Sequence, residues 1–168
     1  MADLFVLIGA PASGKSTWAQ EQVNENTVWI SRDKIRNEIV DLDHSDASKY
    51  FSKETLVYDT YICRITKALM DGKDVIADAT HIDHKSRAKL IRMVRAKGVQ
   101  YDSLIGVVFD TPKDVVLERN SKRAGWRRVP DRAIHEMYEK FERDINQIPQ
   151  EGFDMIIDGR RGEVVYVK

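Results

Sequence analysis

Gly9-Ala10-Pro11-Ala12-Ser13-Gly14-Lys15-Ser16 is the stretch from which the rest of the chain can be placed. It fits G-x-x-x-x-G-K-[ST], the pattern of a phosphate-cradling P-loop. Upstream, Leu4-Phe5-Val6-Leu7-Ile8 is an unbroken apolar run, as expected for a strand buried on both faces. Downstream, Ser16-Thr17-Trp18-Ala19-Gln20-Glu21 has helical character, so the motif sits in the strand–loop–helix setting it requires. Gly9 and Gly14 let the backbone turn tightly and aim successive N–H groups at an anion, with Ala10, Pro11, Ala12 and Ser13 between them. The positive end of the following helix adds to that field. Lys15 would reach the β- and γ-phosphates of a nucleoside triphosphate such as ATP, Ser16 would hold Mg²⁺ through its hydroxyl, and Thr17 continues the binding segment.

From this centre the chain reads as alternating strands and helices. A first helix over about 15–25 leads to a strand at Thr27-Val28-Trp29-Ile30, and Lys34 to Val40 look helical. The polar, acidic segment 41–48 reads as an exposed connection. Between about 53 and 71, Tyr58, Ile62, Ile65 and Leu69 recur at helical spacing. Val75-Ile76-Ala77-Asp78-Ala79 is a third strand, 84–97 a basic amphipathic helix, and Leu104 to Phe109 a fourth strand. Thr111-Pro112 looks like an N-cap followed by proline at the first helical position, opening a helix to about Arg123. Pro130-Asp131 starts another helix with Ile134, Tyr138 and Phe141 on one face, and short strands at 155–157 and 164–167 close the chain. This alternation predicts one three-layer α/β domain over 1–168, with a mostly parallel central sheet and active residues after strand C-termini.

Composition narrows the classes further. The chain has 168 residues, 42% apolar and 32% charged, with 27 Lys plus Arg balancing 27 Asp plus Glu. No bulk positive charge announces nucleic acid, though a local patch is compatible with a neutral total. The single cysteine, Cys63, excludes an internal disulfide and suits a reducing compartment. Without a signal peptide, membrane-spanning run or lipidation signal, a cytoplasmic location is expected and no membrane partner. For a phage-encoded chain it is the host cell's cytoplasm.

What separates kinases from other P-loop proteins is what faces the γ-phosphate. The guanine signature N-K-x-D is absent, which speaks against a Ras-like switch. Asp33 follows the second strand and could accept a hydroxyl proton while aiming that oxygen in line. It could equally cap the helix that follows. Arg36, one turn on, suits an anionic part of the acceptor. Asp78 and Asp110 both end strands and compete to support Mg²⁺, with Asp78 preferred, and Thr80 and His81 follow it toward the same cleft. His81 and His84 form H-x-x-H without a third ligand nearby. Arg119 and Arg123, four apart, would share one helical face and suit charge on transferring phosphoryl oxygens. Together with Lys122, Arg127 and Arg128 they predict an arginine-rich lid over about 119–130, with Ala124-Gly125-Trp126 at its tip.

Four stretches in order resemble the kinase domain of phage-type 5′-hydroxyl polynucleotide kinases: Gly9 to Ala19, Ser31 to Arg36, Val75 to Thr80, and Arg119 to Arg123 with Val129-Pro130. The likeness extends to about Phe141. It implies transfer of the γ-phosphate of ATP to the 5′-OH end of DNA or RNA, as in nucleic-acid repair. On that resemblance Asp33 activates the 5′-OH, Arg36 contacts an acceptor phosphate, and Arg123 contacts phosphates from the lid. Arg119 is carried over as a nucleobase or lid contact. The sequence departs at Ala12, where the family often has glycine, and the D-x-D-G-T motif of a fused phosphatase domain is absent. A neutral chain also needs a local basic groove, for which Arg32, Arg36, Lys85, Arg87, Lys89 and the lid are candidates. Two other readings stay open: a small-molecule or nucleoside kinase on the same scaffold, and a nucleotide-binding ATPase without an acceptor. A homo-oligomer is also left open.

Overall fold

The first strand, β1 (Leu4–Ile8), is the axis of the molecule. In the computed structural model, which describes residues 2–40 and 53–168, it is flanked on both sides by parallel strands. After β1 come α1 (Lys15–Gln22), β2 (Thr27–Ser31), α2 (Arg32–Ile39), α3 (Glu54–Met70) and β3 (Asp74–Asp78). Then follow α4 (His84–Ala96), β4 (Leu104–Val108), α5 (Lys113–Ser121) and a 3₁₀ turn at Gly125–Arg127. The chain closes with α6 (Asp131–Asp144), a 3₁₀ segment at Ile145–Gln150, β5 (Met155–Asp158) and β6 (Glu163–Val167). The acidic connection expected over 41–48 lies outside the described residues.

The sheet order is β2-β3-β1-β4-β5-β6, with β1 to β5 parallel and β6 antiparallel to β5. Successive residues of β1 serve opposite faces, as period-2 side chains must. Leu4, Val6 and Ile8 join a large core with Ile35, Tyr61, Ile65, Leu90, Val94, Ile134 and Phe141 from the helices. Leu7 joins the smaller second core with Ala19, Ile76, Val107 and Phe109. These two layers of side chains explain why β1 is apolar throughout, since both of its faces lose water. The α/β architecture matches the expectation from the strand–helix alternation.

Several local boundaries differ from it, each for a physical reason. Helix α2 starts at Arg32 because Ser31 caps it, its hydroxyl accepting from Lys34 N at 3.2 Å. Capping is therefore Ser31's task, and Asp33 sits within the first turn. Thr111 does not cap α5, whose N-terminal flank is Pro112. Its buried hydroxyl instead donates to Ser13 O at 2.9 Å, tying β4's exit to the P-loop. Helix α5 stops at Ser121, so Arg123 lies beyond its end and not on a shared helical face with Arg119. Among the described residues no helix is long and apolar enough to cross a membrane.

Candidate active site

The loop after β1 forms one wall of a cleft of about 750 Å³ at the C-terminal ends of the parallel strands. Strand order reverses here, as β2 and β3 lie on one side of β1 and β4 and β5 on the other, the usual location of ligand crevices in such sheets. Gly14 has φ 105° and opens α1, which only glycine adopts without cost. Ala12 also has positive φ, 62°, which explains why glycine serves well at this position in similar loops. Gly9 N donates to Thr80 O at 3.0 Å, fixing the loop against the segment after β3.

Gly9 is required by space. A Cβ there would stand 2.8 Å from Ser13 Oγ, 3.0 Å from Phe109 Cβ and 3.2 Å from Phe109 O. Gly9→Ala is expected to displace the loop, cost about 1–3 kcal/mol of stability, and remove ATP binding. Thermal melting with an ATP titration checks this, and wild-type behaviour in both would show a loop that yields freely.

The loop fits an anion. Lys15 is buried, and its ammonium donates to Gly9 O at 2.9 Å and Ala10 O at 2.7 Å. Burial pushes its pKa down, while Asp78 and Asp33 pull it back up. Ser13 Oγ lines the cleft, buried and without a hydrogen-bond partner among the described residues. That is an orphaned donor a phosphate oxygen would satisfy. Ser16 Oγ donates to Asp78 Oδ2 at 3.4 Å, and Trp29 Nε1 donates to the same oxygen at 2.9 Å. Burial raises the Asp78 pKa, with the Lys15 charge and the Trp29 bond opposing. Ser16 and Asp78 are thus joined side by side in the cleft, an oxygen pair whose donors could hold a divalent cation. Asp110, the competing aspartate, is exposed and is not among the cleft-lining residues.

Opposite this wall stand Arg32, Asp33 and Arg36 of α2, with Thr80 beside Asp78. The Asp33 side chain is 75% exposed, and Arg36 Nη1 donates to its Oδ1. Arg36 is buried and forked, with Nε and Nη2 donating to Glu54. Its guanidinium therefore holds Asp33 in place from below.

Arg119, Arg123 and Arg127 also line the cleft. Arg119 Nη1 donates to Ala12 O at 3.2 Å, and Arg123 Nη1 to Arg127 O at 3.2 Å. Burial and the nearby Arg127 disfavour the Arg123 charge, and Asp33 favours it. Arg123 and Arg127 are brought to the cleft by a residue that sequence reasoning missed. Buried Asn120 donates to Val129 O at 2.6 Å and accepts from Val129 N at 3.0 Å, closing the loop that carries them. Arg160, in the β5–β6 turn, also lines the cleft and donates to Asp110 O at 3.2 Å. A basic residue in the turn after the last parallel strand was its only signal. Trp18, Glu21, Ala79, Phe109, Thr111 and Gly159 complete the lining.

Two residues expected near the site act behind it. Arg87 is fully buried, bidentate to Glu151 through Nε (2.6 Å) and Nη2 (3.1 Å), and donates to His81 O, so it leaves the basic groove. His81 is buried with Nδ1 at 2.7 Å from Leu7 O and Nε2 at 3.3 Å from Tyr61 Oη, while exposed His84 pairs with Glu151. Burial pushes the His81 pKa down from 6.5 to about 4, so the ring is neutral. The unfolded chain then binds a proton more readily below pH 6.5. This contribution to stability is complete above pH 6.5 and is lost as pH falls toward 4. Denaturant unfolding at pH 7 and pH 5 should differ by about 2 kcal/mol from this group. His81→Gln should shrink that difference, and an identical pH dependence in the variant would show His81 is not its source.

A family model described as an AAA domain matches residues 4–143. A chain of the Pnkp1/Rnl/Hen1 RNA repair complex is similar at 25% identity and TM-score 0.72, over 88% of this chain and 46% of that one. A second structure of the Pnkp1/Rnl/Hen1 complex matches at 25% identity and TM-score 0.56, over 70% and 39%. The chain thus spans less than half the length of these relatives. A tunicamycin resistance protein from Deinococcus radiodurans shares the fold at 15% identity and TM-score 0.58, over 94% and 86% of the two chains.

Proposed function

The chain belongs to the AAA-domain family whose model matches residues 4–143, a P-loop kinase-type domain, and on that premise we propose that it is an ATP-dependent polynucleotide 5′-hydroxyl kinase. The observation that carries this is Asp33. An exposed carboxylate, freed from helix capping and gripped by Arg36, lines the same cleft as the P-loop lysine.

Bound ATP with Mg²⁺ supplies the phosphoryl group and the divalent charge. Gly9 to Thr17 would cradle the triphosphate through backbone N–H groups, the Ser13 hydroxyl and Lys15, and Ser16 and Asp78 would hold Mg²⁺. Asp33 accepts the proton of the acceptor hydroxyl and orients its oxygen in line. Arg36 fixes the position of Asp33 through their hydrogen bond. Arg119 and Arg123 place positive charge where the phosphoryl oxygens gather negative charge. Thr80, which lines the same cleft, offers a hydroxyl to the acceptor. The polynucleotide acceptor is supported by the four motif stretches shared with phage-type 5′-kinases and by the likeness to a chain of an RNA repair complex.

The test uses γ-labelled ATP, Mg²⁺ and a short single-stranded oligonucleotide with a 5′-OH. A matched 5′-phosphorylated strand is the blocked control, and a panel of nucleosides and small alcohols runs beside them. Label on the 5′-OH strand alone is expected. Label only on a small acceptor would keep phosphoryl transfer and replace the substrate, and hydrolysis without a labelled acceptor would point to an ATPase.

A further inference from the structure

Arg32 and Tyr58 carry polar atoms that the described residues leave unused. Arg32 Nε and Tyr58 Oη are both shielded from solvent, and neither has a hydrogen-bond partner among the described residues. The two side chains belong to one cluster. The Arg32 guanidinium lies 5.1 Å from the centre of the Tyr58 ring, and Lys89 Nζ lies 4.2 Å from it. Burial pushes the Tyr58 phenol pKa up, and the charges of Arg32 and Arg92 pull it back.

This cluster starts in the cleft and leaves it. Arg32 lines the cleft next to Asp33, whereas Lys89 and Arg92 stand outside it. On α4, Lys85, Lys89 and Arg92 are all exposed and fall at i, i+4 and i+7, one face of the helix. At 1.5 Å rise per residue they spread over about 10 Å. Glu54 pairs with Arg32 and Arg36 at the cleft end, but no ion pair engages Lys85, Lys89 or Arg92 among the described residues. In a chain with formal net charge zero, a cationic line without ion pairs among the described residues is a local feature, not a reflection of bulk charge.

We propose that Arg32, Tyr58, Lys89 and Arg92 form a track for a single-stranded nucleic acid whose 5′ end lies at Asp33. Phosphates follow the cations of α4 and draw Lys89 off the Tyr58 ring it now covers, and one base stacks on the face so uncovered. Stacking on an aromatic ring within a cationic groove is how single strands are held without sequence preference. The track rests on the polynucleotide reading of the cleft and extends it. A small acceptor ends inside the cleft and never meets Lys89 or Arg92.

The probe is a fluorescent single-stranded 5′-OH oligonucleotide of about 12 nucleotides, titrated by anisotropy without ATP at several salt concentrations. Wild type is expected to bind. The double variant Lys89→Gln, Arg92→Gln is expected to bind about tenfold or more weakly at low salt. It should also flatten log K against log salt by about 1.4, since each phosphate neutralised on a single strand contributes about 0.7. Tyr58→Leu should weaken binding about fivefold or more with the slope retained. In the transfer assay the double variant should raise KM for the oligonucleotide while KM for ATP and the thermal melting temperature stay unchanged, which excludes misfolding. Equal affinity and slope in the double variant, or no binding to wild type at low salt, overturns the track. Salt-dependent binding that Lys89 and Arg92 control, with no transfer to any polynucleotide, would sustain the track and sink the kinase reading instead.

Discussion

Asp33→Asn is expected to lower kcat about 10²–10⁴-fold while ATP binds as before. The substitution keeps size and keeps an oxygen to accept from Arg36, so it removes little besides the carboxylate's basicity. Arg36 is buried between Asp33 and Glu54, and it retains the Glu54 fork in the variant, which protects the fold. The measurement is a single-turnover rate with saturating ATP, beside a direct ATP titration. A rate within a few-fold of wild type would show that Asp33 is not the base. Loss of ATP binding together with transfer would mean that the variant disturbs the P-loop wall and not the chemistry.

Arg123→Ala carries the second large effect, a fall in the single-turnover rate of about 10³-fold or more with thermal stability retained. Arg123 is half-buried, faces the cleft, and bonds the backbone at Arg127 O. Its charge is disfavoured by burial and Arg127 and favoured by Asp33, so it is held where an arriving anion gains most from it. Arg127, the next arginine of the same loop, is more exposed, and Arg127→Ala serves as the control with a smaller loss. An unchanged rate in Arg123→Ala would remove this residue from the transition state.

The parts of the site that were legible in the sequence share one property: their roles follow from near neighbours in the chain. The P-loop announces itself because glycine, lysine and serine act within eight residues of one another. Asp78 was legible because it ends an apolar run, and a strand end in a parallel sheet points to the crevice. Asp33 was half legible. Its place after β2 was clear, but whether it or Ser31 capped α2 depended on which oxygen met the Lys34 amide. The helical spacing of Arg119 and Arg123 pointed to the right cleft for the wrong reason, because α5 ends at Ser121 and Asn120 shapes the loop beyond it.

Other parts had no local signal. Thr111 reads as an N-cap in any chain of this pattern, yet 98 residues separate it from the Ser13 carbonyl that takes its hydroxyl. Tyr138 on α6 looked like one core residue among several, and its hydroxyl donates to Thr111 O, extending the brace behind the P-loop. Arg87 looked like groove charge and is instead the buried partner of Glu151, 64 residues away. Arg160 reaches the cleft only because β5 pairs with β4 and delivers the following turn there.

Fold class and phosphate loop were written into the chain locally, and so was the place of Asp33 and Asp78 after strand ends, because apolar periodicity and tight-turn chemistry are short-range and survive without knowledge of partners. Tertiary structure decided which charges are spent on the interior and which remain for a ligand. Burial makes an arginine or threonine seek whichever partner the fold brings near, and that choice is made across the sheet, not along the chain.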